Sequence, residues 1–393
     1  MPKILTFNGV YIPGYKAGGP IRSIANIAEN LHDEFDFYIL ARDRDKGDTK
    51  PYQNIKVDDW NKVRDEKVFY HSDKRRIINL IKEVISSKRF DIIYLNGFFS
   101  EYTISYLLLR RLRLVPSVPV IISPRGDLSH GALSIKNMKK SAFIKGTKIL
   151  GIYNNLHWQA TSDIELEDIR SVFGGDISIT KVENLPTSNT SLTSNNRKIK
   201  ELNKLKIVFL SRITKKKNLK YALEILRDIQ GKVEFNIYGP IANEDKLYWE
   251  ECLKIIETLP QNIVVKYKGS INHNEINSIL LENDIFLFPT LGENYGHVII
   301  EALSAGCPVI ISDKTPWINL EQNGAGWDIP LEHPQLFKIK IQQLIGKDNE
   351  YFSNLSENAK KYINKTIDRD SQIVKMKELF YKVLMKDKTS KHI

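Results

Sequence analysis

Short apolar runs alternate with longer amphipathic stretches along almost the whole chain, and this rhythm limits the fold more than any other feature. Residues 4–7, 37–41, 92–96 and 118–123 have the length and composition of buried strands. Helix-like stretches such as 21–31 and 76–87 lie between them. Strand, helix, strand in this order predicts a parallel sheet with helices on both faces. The rhythm breaks once. Residues 186–203 are rich in Ser, Thr and Asn and poor in apolar side chains, which reads as an interdomain linker. The alternation then restarts, with strands at 206–210, 233–238, 263–268, 284–289 and 309–312. Helices fall at 219–229, 245–259, 274–281 and 298–305, and helical material returns from 334 to about 386. The expectation is an α/β chain of two Rossmann-like, doubly wound domains in tandem, residues 1–190 and 204–365. Residues 366–393 would form a C-terminal helix packing back on the first domain.

Composition narrows the class. The 393 residues are 42% hydrophobic, ordinary for a globular chain, and hold two cysteines, Cys252 and Cys307. Two thiols exclude a disulfide-stapled scaffold and a four-thiolate zinc site, and fit a reducing cytosol. No secretory signal and no run of 18 apolar residues is visible, so no membrane span is expected. The formal charge is +11. Residues 74–148 carry fifteen Lys and Arg against four acids, an excess equal to the charge of the whole chain. Solvated helix faces would explain it, and so would a surface for anionic lipid. The run 106–115 offers Leu107, Leu108, Leu109, Leu112 and Leu114 beside Arg110, Arg111 and Arg113. The run 135–150 offers Lys136, Lys139, Lys140, Lys145 and Lys148 beside apolar residues. Each has the makeup of an interfacial segment.

Parallel sheets bind ligands at the carboxyl ends of their strands, and two such domains place the natural site in the cleft between them. The loop after the first strand is Pro13-Gly14-Tyr15-Lys16-Ala17-Gly18-Gly19-Pro20, where glycines let backbone N–H groups approach an anion. It is neither a dinucleotide fingerprint nor a Walker loop. After the first strand of the second half, Arg212 could fork onto phosphate oxygens and Lys217 could add a point charge. After the strand ending near Pro289, Glu293 precedes a helix that starts around Gly296, and Glu301 lies eight residues further on. Both carboxylates can accept hydrogen bonds from sugar hydroxyls. Asp43-Arg44-Asp45 has a metal-site spacing but reads as a solvated turn. His157 reads as part of a late strand, in the core or the cleft wall. The histidines show no ligand spacing, so no bound metal is implied.

The residues leave three readings open: a transferase, a related enzyme acting without a separate acceptor (a nucleotide-sugar epimerase or a phosphorylase), and a basic nucleic-acid-binding protein. The motifs favour the first and leave the other two open. Glu293-x7-Glu301, Arg212-x4-Lys217 and the Gly18-Gly19 loop, in this order, resemble the retaining glycosyltransferases of family 4. Asn218 stands where that family often has Gly, and Arg125 where many members place a His. The resemblance implies the GT-B fold, with two Rossmann-like domains facing a central cleft. It implies Glu293, Arg212 and Lys217 as catalytic residues. Donor contacts would come from Gly18, Gly19, Asn294, Tyr295, Gly296 and Glu301, and acceptor contacts from Arg125, Asp127 and His130. The co-substrate would be a nucleotide-diphosphate sugar carrying a hexose or N-acetylhexosamine, with no metal and no other cofactor. The segments 123–133 and 290–317 are similar to enzymes of bacterial surface-polysaccharide assembly. That implies a saccharide acceptor on a lipid diphosphate, an anionic membrane surface as partner, no nucleic acid, and a cytoplasmic enzyme peripheral on the inner membrane. Glu293, in a loop, is expected to be replaceable by Gln without loss of the fold.

Overall fold

The computed structural model of the chain describes residues 1–134, 137–187 and 198–390. It divides into two compact units, Met1–Ser188 with Arg369–Ile393, and Asn189–Asp368. The first unit holds eight strands: β1 (Lys3–Phe7), β2 (Asp36–Arg42), β3 (Asp59–Val63), β4 (Glu66–His71), β5 (Ile92–Asn96), β6 (Val120–Ser123), β7 (His157–Ala160) and β8 (Ser178–Lys181). Their order across the sheet is β3-β4-β2-β1-β5-β6-β7-β8. Every pairing is parallel except the β3–β4 hairpin. The central strands are apolar throughout because helices cover both their faces.

Helices Ile77–Ser87 and Glu101–Arg111 close one face of this sheet, packing Leu80, Val84, Tyr106 and Leu107 onto Phe7, Leu95 and Ile122. On the other face, Gly19–Leu31 is joined by the last helix, Arg369–Ser390. Met376, Leu379, Phe380 and Val383 recur at helical spacing and are buried against Phe35, Phe37 and Tyr94. The Phe380 ring lies 5.3 Å from Phe35 and 5.7 Å from Tyr94.

The second unit holds β9 (Lys204–Leu210), β10 (Lys232–Tyr238), β11 (Ile263–Tyr267), β12 (Ile285–Phe288), β13 (Val309–Ser312) and β14 (Gly326–Ile329), in the order β11-β10-β9-β12-β13-β14 and all parallel. This is the Rossmann order, and it reverses between β9 and β12.

Three expectations change. The linker is shorter than its composition suggests. Lys198 N–H donates to the Leu281 carbonyl at 3.2 Å. The buried Lys200 ammonium donates to the carbonyls of Glu201 and Lys204, at 2.7 and 2.5 Å. Asp43 and Asp45 are buried rather than solvated, because Asp45 accepts from the Tyr15 and Lys16 N–H groups at 2.7 and 3.0 Å and Asp43 pairs with Arg44 at 2.7 Å. The run 106–115 divides. Leu107 and Leu109 are core, while Leu112 and Leu114 are exposed. Arg110 donates to the carbonyls of Asn154 and Asn155, and Arg111 to that of Leu150 at 2.9 Å, so neither guanidinium is an idle surface charge. Lys140 and Lys148 likewise donate to the carbonyls of Ala132 and Val172. Lys136 lies outside the described residues.

Candidate active site

The reversal between β9 and β12 places two loops side by side, and these carry the charged residues. After β9 the chain turns through Arg212 into a short helical turn, Lys215–Lys217, and then into the helix Leu219–Leu226. Asn218 joins the two in the left-handed conformation, φ 60°. Asn tolerates that region better than most residues, which explains how it replaces Gly. Its side-chain amide also donates to the Pro289 carbonyl at 2.8 Å, tying the loop after β9 to the loop after β12. Leu291 N–H adds a bond to the Lys216 carbonyl at 2.9 Å, and Thr290 Oγ1 one at 3.1 Å.

These ties bring Lys217 and Glu293 together. The Lys217 ammonium pairs with Glu293 Oε1, and each side chain is only 14% exposed. The same ammonium lies 5.4 Å from the centre of the Phe288 ring. Burial depresses the Lys217 pKa; Glu293 opposes that effect, while Arg212 and Lys216 add to it. Glu293 N–H donates to the Lys314 carbonyl at 2.9 Å, which fixes the loop.

Gly296 begins the helix His297–Ser304 at φ 73°. A Cβ there would sit 2.9 Å from Ile299 Cδ1 and 3.3 Å from Trp317 Nε1, so the position needs Gly for its conformation and for space. Trp317 Nε1 donates to the Tyr295 carbonyl at 2.6 Å and so holds the segment from Asn294 to Gly296 in place. Within the helix, Glu301 Oε1 lies 3.5 Å from His273 Nδ1. His273 was not singled out from the sequence. It stands in a separate short turn, and only the fold sets it beside Glu301.

In the first unit, Gly18 precedes the helix Gly19–Leu31 at φ 68°, and nothing lies within 4 Å of where a Cβ would be. The space beside that helix start is open. Arg125 is half-buried, and its guanidinium meets Asn96, Tyr94 and Asn184. Asp127 accepts from the Phe99 N–H at 3.2 Å, and burial raises its pKa. Among the described residues no hydrogen bond or ion pair joins it to Arg125. His130 starts the short helix His130–Ser134, and its side chain lies outside the described residues. Sequence reading also missed Glu165. Its carboxylate is buried, accepting from Gly126 N–H at 2.6 Å and from Thr161 N–H and Oγ1 at 2.7 and 2.6 Å. A Ser162-x-x-Glu165 pattern marks the helix start, and Ser162 does cap it. His157 is buried in β7 between Ser178 and Thr180, at 2.9 Å from each hydroxyl.

Residues 193–362 match the family described as glycosyl transferases group 1, and Arg212, Lys217, Glu293 and Glu301 all fall inside the match. The second unit is a group 1 glycosyltransferase domain. The chain is accordingly a glycosyltransferase. This glycosyltransferase is 24% identical over 323 residues to an uncharacterized 41.2 kDa protein in the cps region of Klebsiella pneumoniae, a match covering 78% of this chain and 81% of that one. It is 25% identical over 263 residues to the capsular polysaccharide biosynthesis glycosyltransferase CapM of Staphylococcus aureus, covering 65% and 66% of the two chains. The crystal structure of Anabaena HepE in complex with UDP and glucose is similar with a TM-score of 0.70, covering 97% of this chain and 100% of that one. At 16% identity that likeness concerns the fold alone, which is of the GT-B type.

Proposed function

We propose that this glycosyltransferase moves a hexose or N-acetylhexosamine from a nucleotide-diphosphate sugar to a saccharide acceptor in surface-polysaccharide synthesis, with retention and without a divalent ion. The pairing of Lys217 with Glu293 across the β9/β12 reversal carries the reading. A donor has a diphosphate and a sugar, and this pair offers one partner to each. On binding, the Lys217 ammonium and the Arg212 guanidinium turn to the phosphates, and Glu293 accepts from sugar hydroxyls. Glu301 takes the ribose. The bond from the anomeric carbon to the leaving phosphate oxygen breaks as the bond to the acceptor oxygen forms on the same face. The acceptor proton passes to a phosphate oxygen, so no protein nucleophile is required. Two preorganised cations near the leaving group perform the electrostatic work that a metal ion does elsewhere.

CapM supports a place in capsule-type synthesis, and the HepE complex supports a UDP-linked donor. For the lipid-diphosphate acceptor and an anionic membrane, the support is a patch on the first unit. Leu112, Leu114, Ile149 and Leu150 are exposed, Arg113 stands between the first two and Lys145 one turn before Ile149, and the bond from Arg111 to Leu150 joins the two segments. A thermal-shift screen of nucleotide sugars tests the donor: a ligand at one hundred times its dissociation constant adds about 2.7 kcal/mol. Donor hydrolysis should survive EDTA. No stabilisation by any nucleotide sugar, or activity that chelation removes and manganese restores, would overturn the proposal.

A further inference from the structure

Among the described residues, Arg125 of the first unit has no acid among its hydrogen-bond partners. Its sheet order also reverses, between β1 and β5, whose registered residues Phe7 and Leu95 lie side by side. Asn8 follows β1, Asn96 ends β5 opposite Ser123 of β6, and Arg125 comes two residues later. Carboxyl strand ends at such a reversal are where open parallel sheets take ligands.

The partners of Arg125 are all neutral. Its Nε and Nη2 donate to Asn96 Oδ1 at 3.0 and 2.8 Å, Nη2 also donates to Tyr94 Oη at 2.7 Å, and Nη1 donates to Asn184 Oδ1. Tyr94 is fully buried, which raises its phenol pKa and keeps it uncharged. The nearby acids are turned elsewhere, Asp127 to the Phe99 N–H and Glu165 to Gly126 and Thr161. Of the five N–H bonds a guanidinium carries, the described residues leave one on Nη1 over. Thr6 Oγ1 accepts from Asn96 Nδ2 at 2.9 Å, and Asn8, two residues further along, returns to that same face; it is 9% exposed and its Nδ2 amide has no partner among the described residues. A half-buried charge without a counterion costs free energy, and so does an unpartnered buried amide. An anion would satisfy both groups. The fork is already locked by its neutral partners, so little ordering is lost on binding.

We infer that Arg125, with the Asn8 amide, is a receptor for one anionic group, a carboxylate or a phosphate, of the sugar acceptor. This rests on the proposed transfer reaction and adds the chemical class of its acceptor. The anion has two sources, a uronic acid within the saccharide or the phosphate of a lipid diphosphate.

The test keeps UDP saturating, so that the donor site is filled, and titrates glucuronate, glucose, farnesyl diphosphate and farnesol by calorimetry. One of the anions should bind at least tenfold more tightly than its neutral counterpart, and which one does identifies the source. Arg125→Lys removes the fork. Asn96→Asp keeps the shape and the acceptor atom but supplies an internal counterion. Each should weaken the anion at least tenfold and leave the UDP dissociation constant within twofold. If Arg125→Lys unfolds the unit, Asn96→Asp carries the test alone. Anion binding unchanged in Asn96→Asp, or no preference for either anion in the wild type, overturns the inference. Failure of the wild type to bind UDP strikes the proposed reaction instead, and the anion titration is then read without UDP.

Discussion

The two units share a sheet order around their first strands, yet they furnish the point of reversal in opposite ways. In the second unit, opposite charges meet there: Lys217 and Glu293 neutralise each other at the edge of the core. In the first unit a guanidinium sits among the neutral acceptors Asn96, Tyr94 and Asn184. The difference is one of preparation. A paired site is compensated before its ligand arrives and must give up the pair on binding. A neutral cradle keeps its charge unspent and needs no internal bond broken. The same contrast decides what each site costs the fold when it is altered.

The largest effect should come from support behind the neutral edge. Phe380 is fully buried against Phe35 and against Tyr94, whose hydroxyl holds Arg125. Phe380→Ala should cost the first unit about 3–5 kcal/mol, as large-to-small core substitutions do. Two units give two unfolding transitions, and only one should move. Calorimetry in the presence of UDP checks this. If both transitions drop together, the units do not differ in the way drawn above.

The charged edge responds differently. Glu293→Gln should cut transfer more than tenfold, at least about 1.4 kcal/mol of transition-state stabilisation. The expectation that this change leaves the fold untouched needs amending. It strands the Lys217 ammonium, mostly buried, and should also cost about 1–3 kcal/mol of stability in the second unit. Adding Lys217→Met should restore the stability and none of the activity. Denaturant unfolding beside a transfer assay separates the two. Full activity in the single variant would remove Glu293 from the site.

Much of this architecture was legible because parallel strands buried on both faces are apolar throughout, as in residues 92–96, where expected and observed strands coincide. Among the strands that escaped, β3, β8 and β14 are the outermost members of their sheets or of a hairpin, and carry residues such as Asp59, Lys181 and Asp328. Edge strands look like loops by composition. The candidate site followed the same logic. Lys217 and Glu293 stand out because charges in loops after apolar strands are conspicuous. Asn96, Asn184 and Tyr94 are scattered along the chain with no common spacing, and only the sheet brings them to Arg125. Asp45 was misread because its partners are backbone N–H groups thirty residues away, which leave no trace in side-chain pattern.

The finest test of the contrast is pH. Burial, reinforced by Lys382 and Lys386 on the last helix, holds the His157 pKa down to about 4 from an ordinary 6.5. The direction for His71 is the same, again mainly from burial. A histidine held neutral in the fold binds fewer protons there than in the unfolded chain. Its stabilising contribution is therefore complete above about pH 6.5 and is lost as pH falls toward 4. For His157 that amounts to about 2 kcal/mol between pH 7 and pH 5. In the second unit the carboxylates of Glu234 and Glu321, lowered from 4.5, lose their contribution only below that value. Between pH 7 and pH 5 the first unit's transition should fall, and these two carboxylates give the second unit no matching loss. His157→Gln can keep bonds to Ser178 and Thr180 and has no proton to take up, so it should flatten most of the first unit's slope. Shortening the last helix to end before Lys382 would remove both lysines and the core contact of Val383. It is the blunter instrument, because packing and titration would change together. An equal slope in the His157→Gln variant and the wild type would show that acid weakens the first unit through another group.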